Sequence, residues 1–413
     1  MLVIYRLLIN LVILISPIII LARIIKNKED KIRFKEKFCF FSKKRKKGKL
    51  IWFHGSSVGE IMSVIPLLEK LKNDKKIETI LITSSTLSSS KVLEKLKFKK
   101  IIHQFFPVDN NFLTKKFLNY WKPSSAIFIE SEIWPNMIFN LKKKSIPIIL
   151  LNARITKKSY RRWKKISFSY ELFKTFSLCL PQNFETQKYL NLLGAKNIKK
   201  IGNLKFSEPQ VNYRNELNKN LKKYFSKKKI WCASSTHNTE EIICAVAHQK
   251  LKKKYKDLLT IIIPRHVQRV DEIKDQLNEI NIKFHIHSSK KKIKKDTEIY
   301  VVDTYGETKN FFKVCNTVFL GGSIIKHGGQ NPLEAARLGC EIIHGPNIYN
   351  FTEIYNLLKK INLSNKVKNS SQLIKKLDSL LTKKNNYSKK INRLKKIGII
   401  IFKRNYNEIK KYI

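Results

Sequence analysis

Three acidic side chains stand where apolar runs end in the first half of the chain. Glu60 closes the stretch IWFHGSSVGE (51–60), in which an apolar run stops at a glycine-containing turn and a helix begins. Glu130 and Glu132 follow a second apolar run, within IESEIWPN (129–136). A carboxylate accepts a proton from a reacting hydroxyl when its pKa is tuned towards the working pH. This placement therefore makes acid–base chemistry a candidate.

Glu60 also has a purely structural interpretation. An acid in the first turn of a helix interacts favourably with the helix dipole, by about 0.3–1 kcal/mol. The same dipole lowers the pKa of the acid, so burial or nearby carboxylates must offset it before Glu60 acts as a base. The turn GSSVG lacks the Lys-Ser/Thr ending of a P-loop, which argues against ATP hydrolysis.

The second half of the chain carries a pattern suited to anions. In GGSIIKHGGQNPLEAARLG (321–339) a strand ends at two glycines, and Asn331 is predicted as the N-cap of a helix with Pro332 in its first position. The backbone N–H groups of a helix start bind phosphate. Glu334 is either the capping-box partner of Asn331 or an acceptor for ribose hydroxyls, and the spacing leaves both open.

Other polar residues share this position at strand ends. Arg265, in IIIPRH (261–266), is either a bidentate ligand for phosphate or carboxylate or a surface arginine. Gly306 and Glu307 close DTYGE (303–307), where backbone N–H groups are candidates for a nucleotide contact. The remaining candidates are Asn152, Arg154 and Lys205, together with His237, His266 and His327, whose spacing favours local hydrogen bonds over metal binding.

Short β-branched runs alternate with amphipathic helical stretches from residue 49 onward. This alternation predicts parallel sheets with helices on both faces. Candidate strands of the first series are 49–54, 79–83, 100–106, 125–130, 146–152, 177–181 and 198–202, and those of the second are 231–235, 258–264, 282–287, 298–303, 316–322 and 341–345. The polar stretch 203–220 separates the two series. We therefore predict an α/β protein with two Rossmann-like doubly wound domains, 48–210 and 211–385, facing a cleft, followed by a basic helix at 386–413.

The first 47 residues form a segment of a different character. Residues 2–25 are nearly all apolar and long enough to cross a bilayer core. They lack a small-x-small cleavage site, which favours an uncleaved membrane anchor over a removable signal peptide. Lysines and arginines follow directly, up to KKRKKGK (43–49), and predict that the rest of the chain lies in the cytoplasm.

The formal net charge of +53 indicates an anionic partner. The many Ile and Asn residues are also typical of drift in an AT-rich genome, so only local basic clusters are interpreted as functional. A nucleic-acid-binding protein would show base-stacking motifs and a steep salt dependence. The sequence has no such motif, and its apolar N-terminus argues against nucleic acid. The six scattered cysteines are predicted to be small buried side chains without disulfides.

Taken together, the motifs HGSSVGE, ESEIWPN, NARITKKSYRR, GNLKF, ASSTHNTEE, PRH, DTYGE, GGSIIKHGGQNPLEAA and GPNIYNF resemble, in order and spacing, the Kdo (3-deoxy-D-manno-octulosonic acid) transferase family of lipopolysaccharide biosynthesis. The resemblance covers roughly residues 1–360. It implies a GT-B glycosyltransferase fold. It also implies transfer of Kdo from CMP-Kdo to a lipid A precursor (lipid IVA), with inversion at the anomeric carbon. The chain departs from the family's common pattern at Tyr305, Gln330 and Ser56.

The resemblance also implies roles for particular residues. Glu60 matches the general base, and Glu130 and Lys205 match residues that stabilise the transition state. The CMP contacts of the family fall on Pro264, Arg265, Tyr305, Gly306, Glu307, Asn331, Pro332, Leu333 and Glu334. No metal and no cofactor are implied. The expected location is the inner (cytoplasmic) membrane, held by the N-terminal helix and by anionic lipids, with the catalytic domains on the cytoplasmic side and no nucleic-acid partner. The alternative is another GT-B enzyme that uses a UDP- or GDP-sugar.

Overall fold

The computed structural model describes residues 1–95, 100–207, 216–383 and 387–413. The chain forms two compact units. Unit 1 comprises Met1–Pro209 with Ile397–Ile413, and unit 2 comprises Gln210–Lys396. The domain boundaries predicted at 210/211 and 385/386 both fall on residues outside the described ranges, and they stay predictions.

Unit 1 is built on a six-stranded sheet with the order β3-β2-β1-β4-β5-β6. All neighbouring strands are parallel. In this order the chain reverses direction across the sheet between β1 and β4, and such a switch point is where α/β proteins bind ligands. The strands are β1 Leu50–His54, β2 Thr79–Ser84, β3 Ile101–Phe105, β4 Ser125–Ile129, β5 Ile148–Ala153 and β6 Leu178–Pro181.

Helices connect the strands of unit 1, as the alternating pattern predicts. They are α1 Leu2–Ile25, α2 Val58–Leu71, α3 Leu87–Lys95, α4 Asn111–Trp121, α5 Pro135–Lys143, α6 Lys157–Lys164, α7 Ser169–Lys174 and α8 Phe184–Leu192. Short 3₁₀ turns lie at Arg33–Phe38 and Leu204–Ser207. The core of the unit is aromatic, with Trp52, Trp121 and Phe128 fully buried.

Unit 2 contains a seven-stranded sheet with the order β13-β12-β11-β7-β8-β10-β9, again parallel throughout. Its strands are β7 Lys229–Thr236, β8 Leu258–Pro264, β9 Phe284–Ile286, β10 Ile299–Val301, β11 Thr317–Leu320, β12 Glu341–His344 and β13 Ser364–Lys366. Its helices are α9 Lys219–Phe225, α10 Glu240–Lys252, α11 Val270–Glu279, α12 Thr308–Phe312, α13 Leu333–Arg337, α14 Thr352–Lys360 and α15 Ser370–Leu381, with a 3₁₀ turn at Val267–Arg269.

The C-terminal basic stretch forms one helix, α16 Tyr387–Lys410, whose later residues belong to unit 1. Its Gly398 lets the backbone approach Phe206, because a Cβ at this position would lie 2.4 Å from the Phe206 carbonyl oxygen. Two strand predictions differ from the structure. The run 198–202 contributes only an isolated bridge between Ile198 and Cys179, whereas the short polar strand β13 was not predicted.

The six cysteines are buried and unbridged, as small core residues are. An 18-residue window of helix α1 has a mean hydropathy of 2.6, and the helix is long and apolar enough to cross a membrane. Its polar side chains lie on the face that packs on unit 1. Arg6 Nε donates to Asn136 Oδ1 at 3.0 Å, and Asn10 Oδ1 accepts from Asn110 Nδ2 at 2.6 Å. The opposite face is apolar and exposed.

Candidate active site

Glu60 lies at the carboxyl end of β1, in the first turn of α2. Ser57 caps this helix, and its Oγ accepts a hydrogen bond from the Glu60 N–H at 3.3 Å. In return Glu60 Oε2 accepts from the Ser56 N–H at 2.7 Å and the Ser57 N–H at 3.4 Å. Glu60 and Ser57 therefore form a capping box at the start of α2, whereas the sequence had suggested only an interaction of Glu60 with the helix dipole.

The surroundings of Glu60 nevertheless offset the effect of the helix start on its proton affinity. Burial, together with the negative charges of Glu132 and Glu130, raises the pKa of Glu60 to about 7. Hydrogen bonds from Ser57 and Ser56 act in the opposite direction. A carboxyl group with a pKa near neutrality is a suitable general base.

Glu132 is fixed by three donors on one oxygen. Its Oε2 lies 2.9 Å from His54 Nε2 and accepts from Ser56 Oγ at 2.7 Å and Trp134 Nε1 at 2.8 Å. Burial raises the pKa of Glu132, but hydrogen bonds from His54, Ser56 and Trp134, with the attraction of His54, lower it below the usual value. Glu132 therefore keeps its negative charge near Glu60.

The role of His54 was missed in the sequence. His54 is fully buried at the end of β1, where its Nδ1 lies 2.9 Å from Thr83 Oγ1. The available signal was its position immediately before the GSSVGE turn, but the pairing with Glu132 spans 78 residues and follows only from the neighbouring positions of β1 and β4 in the sheet.

Glu130 and Lys205, both predicted as site residues, come together in unit 1. Lys205 Nζ lies 2.6 Å from Glu130 Oε1, and the Glu130 side chain is almost completely buried. Asn152 positions the turn that carries Lys205, since its Oδ1 accepts from the Leu204 N–H at 3.0 Å. Glu130 and Asn152 both have positive φ, 56° and 52°, a strained backbone geometry that clusters at functional sites.

In unit 2, Glu240 organises the loop after β11. Its carboxylate accepts from the backbone N–H groups of His237 at 3.1 Å, Gly322 at 2.6 Å, Ser323 at 3.1 Å and Ile324 at 3.0 Å. Glu240 was not singled out in the sequence, where it is one of two acids in ASSTHNTEE. Because it occupies these N–H groups, the glycine turn at 321–322 does not offer them to phosphate.

Cationic and imidazole side chains gather at the ends of β7 and β8. The ring of His237 lies 4.1 Å from that of His327 and 5.9 Å from that of His266, measured between centroids. Burial, together with the charges of His327, His266, Arg265 and Arg269, lowers the pKa of His237 to about 4. Arg265 follows Pro264, the last residue of β8, and its side chain is exposed. The positive charge around His237 favours an anionic ligand.

The predicted nucleotide-binding helix differs from the expectation. Helix α13 has five residues and starts at Leu333, with Pro332 rather than Asn331 at the N-cap. Asn331 still caps it through its side chain, since Oδ1 accepts from the Leu333 N–H at 3.1 Å. Glu334 lies 3.2 Å from Lys309 Nζ and is not a capping-box partner. The dipole of so short a helix is small, so its phosphate affinity would rest on individual N–H groups.

The DTYGE segment places its three candidate residues after β10. Tyr305 is exposed, and its hydroxyl donates to Gln268 Oε1 at 3.4 Å. Gly306 has a φ of 87° and open space beside its Cα. Glu307 Oε2 lies 3.1 Å from His287 Nε2 and also accepts from Thr304 Oγ1. Within the described ranges, no three His, Cys, Asp or Glu side chains are grouped to hold a metal ion.

Comparison with known proteins agrees with these motifs. A family model described as 3-deoxy-D-manno-octulosonic-acid transferase (kdotransferase) matches residues 32–208. The 3-deoxy-D-manno-octulosonic acid transferase of Rickettsia bellii is 33% identical over 397 residues, which cover 96% of this chain and 94% of the relative. The chain belongs to the Kdo transferase family. A transferase of the same name from Haemophilus influenzae is 31% identical over 310 residues, covering 73% of this chain and 72% of that protein.

As a member of the Kdo transferase family, the chain is a glycosyltransferase. Its fold is shared with a solved UDP-N-acetylglucosamine 2-epimerase at a TM-score of 0.62, with 13% identity, over 89% of this chain and 96% of the other. At that identity the likeness concerns the fold alone. The predicted class, two Rossmann-like doubly wound domains of the GT-B type with an apolar N-terminal helix, is confirmed.

Proposed function

We propose that this Kdo transferase transfers Kdo from CMP-Kdo to a lipid A precursor (lipid IVA), with inversion at the anomeric carbon and Glu60 as the general base. The observation that carries the proposal is the environment of Glu60. Burial and two neighbouring acids bring its pKa to about 7, so a useful fraction of it is ionised at neutral pH while it remains basic enough to take a proton.

The proposed reaction is a single displacement. Glu60 takes the proton of an acceptor sugar hydroxyl while that oxygen forms a bond to the anomeric carbon of Kdo. The bond from this carbon to the phosphate oxygen of CMP breaks, and its electron pair leaves with CMP. Lys205, held by Glu130, places a positive charge in unit 1 for the negative charge that develops. The proposal requires no cofactor and no metal ion.

Donor binding is assigned to unit 2. The Arg265 guanidinium, exposed at the end of β8, suits the phosphate of CMP or the carboxylate of Kdo, because it donates in a planar fork. Pro264 sets the direction in which the chain leaves β8. Tyr305, Gly306 and Glu307 follow β10, and the α13 start with Asn331, Pro332, Leu333 and Glu334 follows β11; both segments emerge at carboxyl ends of strands, where α/β folds bind nucleotides.

The proposed location is the cytoplasmic face of the inner membrane. The exposed face of α1 is apolar, with Leu8, Leu11, Leu14 and Ile18 each more than half exposed. Contact of such an apolar surface with water is unfavourable, and insertion into a bilayer removes that contact. We propose that α1 enters the lipid while its polar face stays packed on unit 1. This would hold unit 1 close to a lipid acceptor and raise the effective concentration of that acceptor.

A basic surface on α6 supports the same location. Lys157, Lys158, Arg161, Arg162 and Lys165 line one open depression of about 520 Å³. The start of α1 lies beside the end of this helix, because Met1 Sδ accepts from the Ser167 N–H at 3.4 Å. A basic cluster beside an apolar helix is suited to anionic headgroups. We therefore propose anionic membrane lipids as a partner of this surface.

The decisive experiment compares wild type with Glu60→Gln. The variant keeps the size and capping capacity of the side chain but does not accept the proton, so turnover should fall by about 10²- to 10⁴-fold while CMP still binds. Wild type should release CMP from CMP-Kdo and should not release UDP from UDP-sugars, and mass spectrometry should find Kdo on the lipid product. Near-normal transfer by Glu60→Gln would remove Glu60 from the mechanism, and release of UDP would favour the alternative donor class.

A further inference from the structure

A second cavity lies in unit 2 at the carboxyl ends of β12 and β13. Its volume is about 400 Å³, and its walls come from the loop after β12, helix α14 and β13. Residues that line it include His344, Asn356, Lys359, Ser364 and Lys366. None of the residues predicted to contact CMP is among its lining residues. The cavity is therefore separate from the predicted donor contacts.

Buried and cationic groups both point to a ligand in this cavity. Ser364 is only 8% exposed, and its Oγ has no hydrogen-bond partner within the described part of the chain. A buried hydroxyl without a partner is costly unless a ligand or water satisfies it. Lys359 and Lys366 line the same space, and no Asp or Glu does. The cavity therefore carries a positive charge that no acidic lining residue neutralises.

His344 adds an acceptor. Its ring Nδ1 lies 2.7 Å from the Gly345 carbonyl oxygen, which fixes the N–H on Nδ1 and leaves Nε2 as a lone-pair acceptor in the neutral ring. Burial lowers the pKa of His344 to about 4; Lys366 and Lys359 also lower it, against the opposing hydrogen bond to Gly345. A phosphate monoester that carries one proton matches this set of groups. The set comprises the Ser364 hydroxyl, the Asn356 amide, the Lys359 and Lys366 ammonium groups and the His344 acceptor.

We propose that this cavity binds a phosphate group, at a site distinct from the one that holds the phosphate of CMP. The Lys359 and Lys366 ammonium groups neutralise the anion, and the enclosed Ser364 hydroxyl donates to one of its oxygens once the side chain rotates towards the cavity. The phosphate belongs either to a free small molecule or to a lipid headgroup. This inference does not depend on the identity of the sugar donor or on the role of Glu60.

The test uses the full chain in detergent micelles, with histidine side chains labelled with ¹⁵N and CMP present at saturation. Inorganic phosphate should shift the His344 resonances, because an anion at this place alters the field at the ring. Lys359→Ala/Lys366→Ala should weaken the phosphate response at least about tenfold. Lys360→Ala/Lys368→Ala removes the same two charges from exposed neighbouring positions that do not line the cavity, and should leave the response as in wild type.

A second arm separates the two sources of phosphate. Vesicles of phosphatidylcholine with or without phosphatidic acid replace free phosphate, and the same His344 resonances are followed. A response to either phosphate source that the double lysine variant loses supports the site, and the source that gives it identifies the ligand class. An unchanged His344 signal with both sources overturns the proposal. So does an equal response of the wild-type and the double-variant proteins, or a response that appears only when the measurement is repeated without CMP.

Discussion

At the scale of single residues, Glu60 combines two roles that oppose each other. Its hydrogen bonds to the Ser56 and Ser57 N–H groups cap α2 and favour the ionised form. Burial and the charge on Glu132 favour the protonated form, and they outweigh the cap. The proton affinity of the proposed base is thus set mainly by residues outside its own helix.

The first prediction concerns Glu132. In wild type, transfer that needs ionised Glu60 should rise with pH and level off above a pH of about 7. Glu132→Gln removes a negative charge from the vicinity of Glu60, so the pKa of Glu60 should fall by about one unit and the rising limb should move to lower pH. The pH dependence of kcat/KM checks this. Glu69→Gln, the same change at an exposed position of α2, is the control. An unmoved limb in Glu132→Gln would show that Glu132 does not tune the base.

The position of Glu60 was predictable from sequence, whereas its proton affinity was not. An acid after an apolar run and a Ser-containing turn predicts a capped helix start. The pKa depends first on burial and then on the charge of Glu132, which a contact with His54 across β1 and β4 holds in place, and pattern reasoning reaches neither. The same holds for Glu240, because its four backbone donors come from residue 237 and from residues 322–324, more than 80 positions further along the chain.

At the scale of elements, the turn between β1 and α2 contains two glycines, Gly55 and Gly59, and a side chain would be too close to its neighbours at Gly55 only. A Cβ at Gly55 would lie 3.1 Å from Ile129 Cδ1 and 3.2 Å from Glu60 Cβ, whereas a Cβ at Gly59 meets nothing within 4 Å. Gly55→Ala should therefore lower the free energy of unfolding by about 1–3 kcal/mol through overpacking. Gly59→Ala, in the first turn of α2, should raise it by about 0.5–1 kcal/mol.

Thermal or denaturant unfolding of the two variants side by side measures both effects. Gly59→Ala is the matched control, because it adds the same methyl group four residues away in the same motif. Equal stabilities of the two variants would contradict the close approach of Gly55 to Glu60 and Ile129.

Strands were predictable where the sequence has a continuous apolar run, because a strand that is buried on both faces consists of apolar residues. Two elements escaped this reasoning. The run 198–202, IKKIG, has only two apolar residues, and it forms a single bridge at Ile198 beside β6 and does not extend the sheet. Strand β13, with the sequence SNK, is polar and depends on its pairing with β12. Helix α13 was predicted from its Pro and Gly, but its five-residue length was not.

A further prediction concerns α1 in the membrane. The side chains of Asn10 and Asn110 are 2.6 Å apart, so Asn10→Cys/Asn110→Cys should form a disulfide when vesicles carrying the protein are oxidised. The six native cysteines are buried and should not interfere. Leu8→Cys/Asn110→Cys is the control, because Leu8 is 57% exposed and, two residues before Asn10, lies on nearly the opposite side of the helix. Equal cross-linking of the two pairs, or none in the first, would mean that α1 leaves unit 1 when lipid is present.

At the scale of the whole molecule, a net charge of +53 allows two explanations of membrane binding. Diffuse charge attracts an anionic surface from everywhere on the protein, whereas a local cluster acts only where it touches the headgroups. The Debye length is about 10 Å at 0.1 M salt and about 3 Å at 1 M, so the two contributions also differ in how salt weakens them. Burial of the apolar face of α1 adds a term that salt does not screen.

We expect the cluster on α6 to act locally. Each basic residue near an anionic surface contributes about 1 kcal/mol, so Arg161→Gln/Arg162→Gln should weaken binding to phosphatidylglycerol-containing vesicles about thirtyfold at low salt. The loss should vanish at 1 M salt, and residual binding through α1 should remain. Lys75→Gln/Lys76→Gln removes the same charge from an exposed pair of lysines. This pair precedes β2, whereas α6 follows β5, and the central strands β1 and β4 lie between β2 and β5 in the sheet. Co-sedimentation of both variants and wild type with vesicles decides the matter: if the two variants lose affinity equally, the attraction is a property of the diffuse charge, and α6 has no particular part in it.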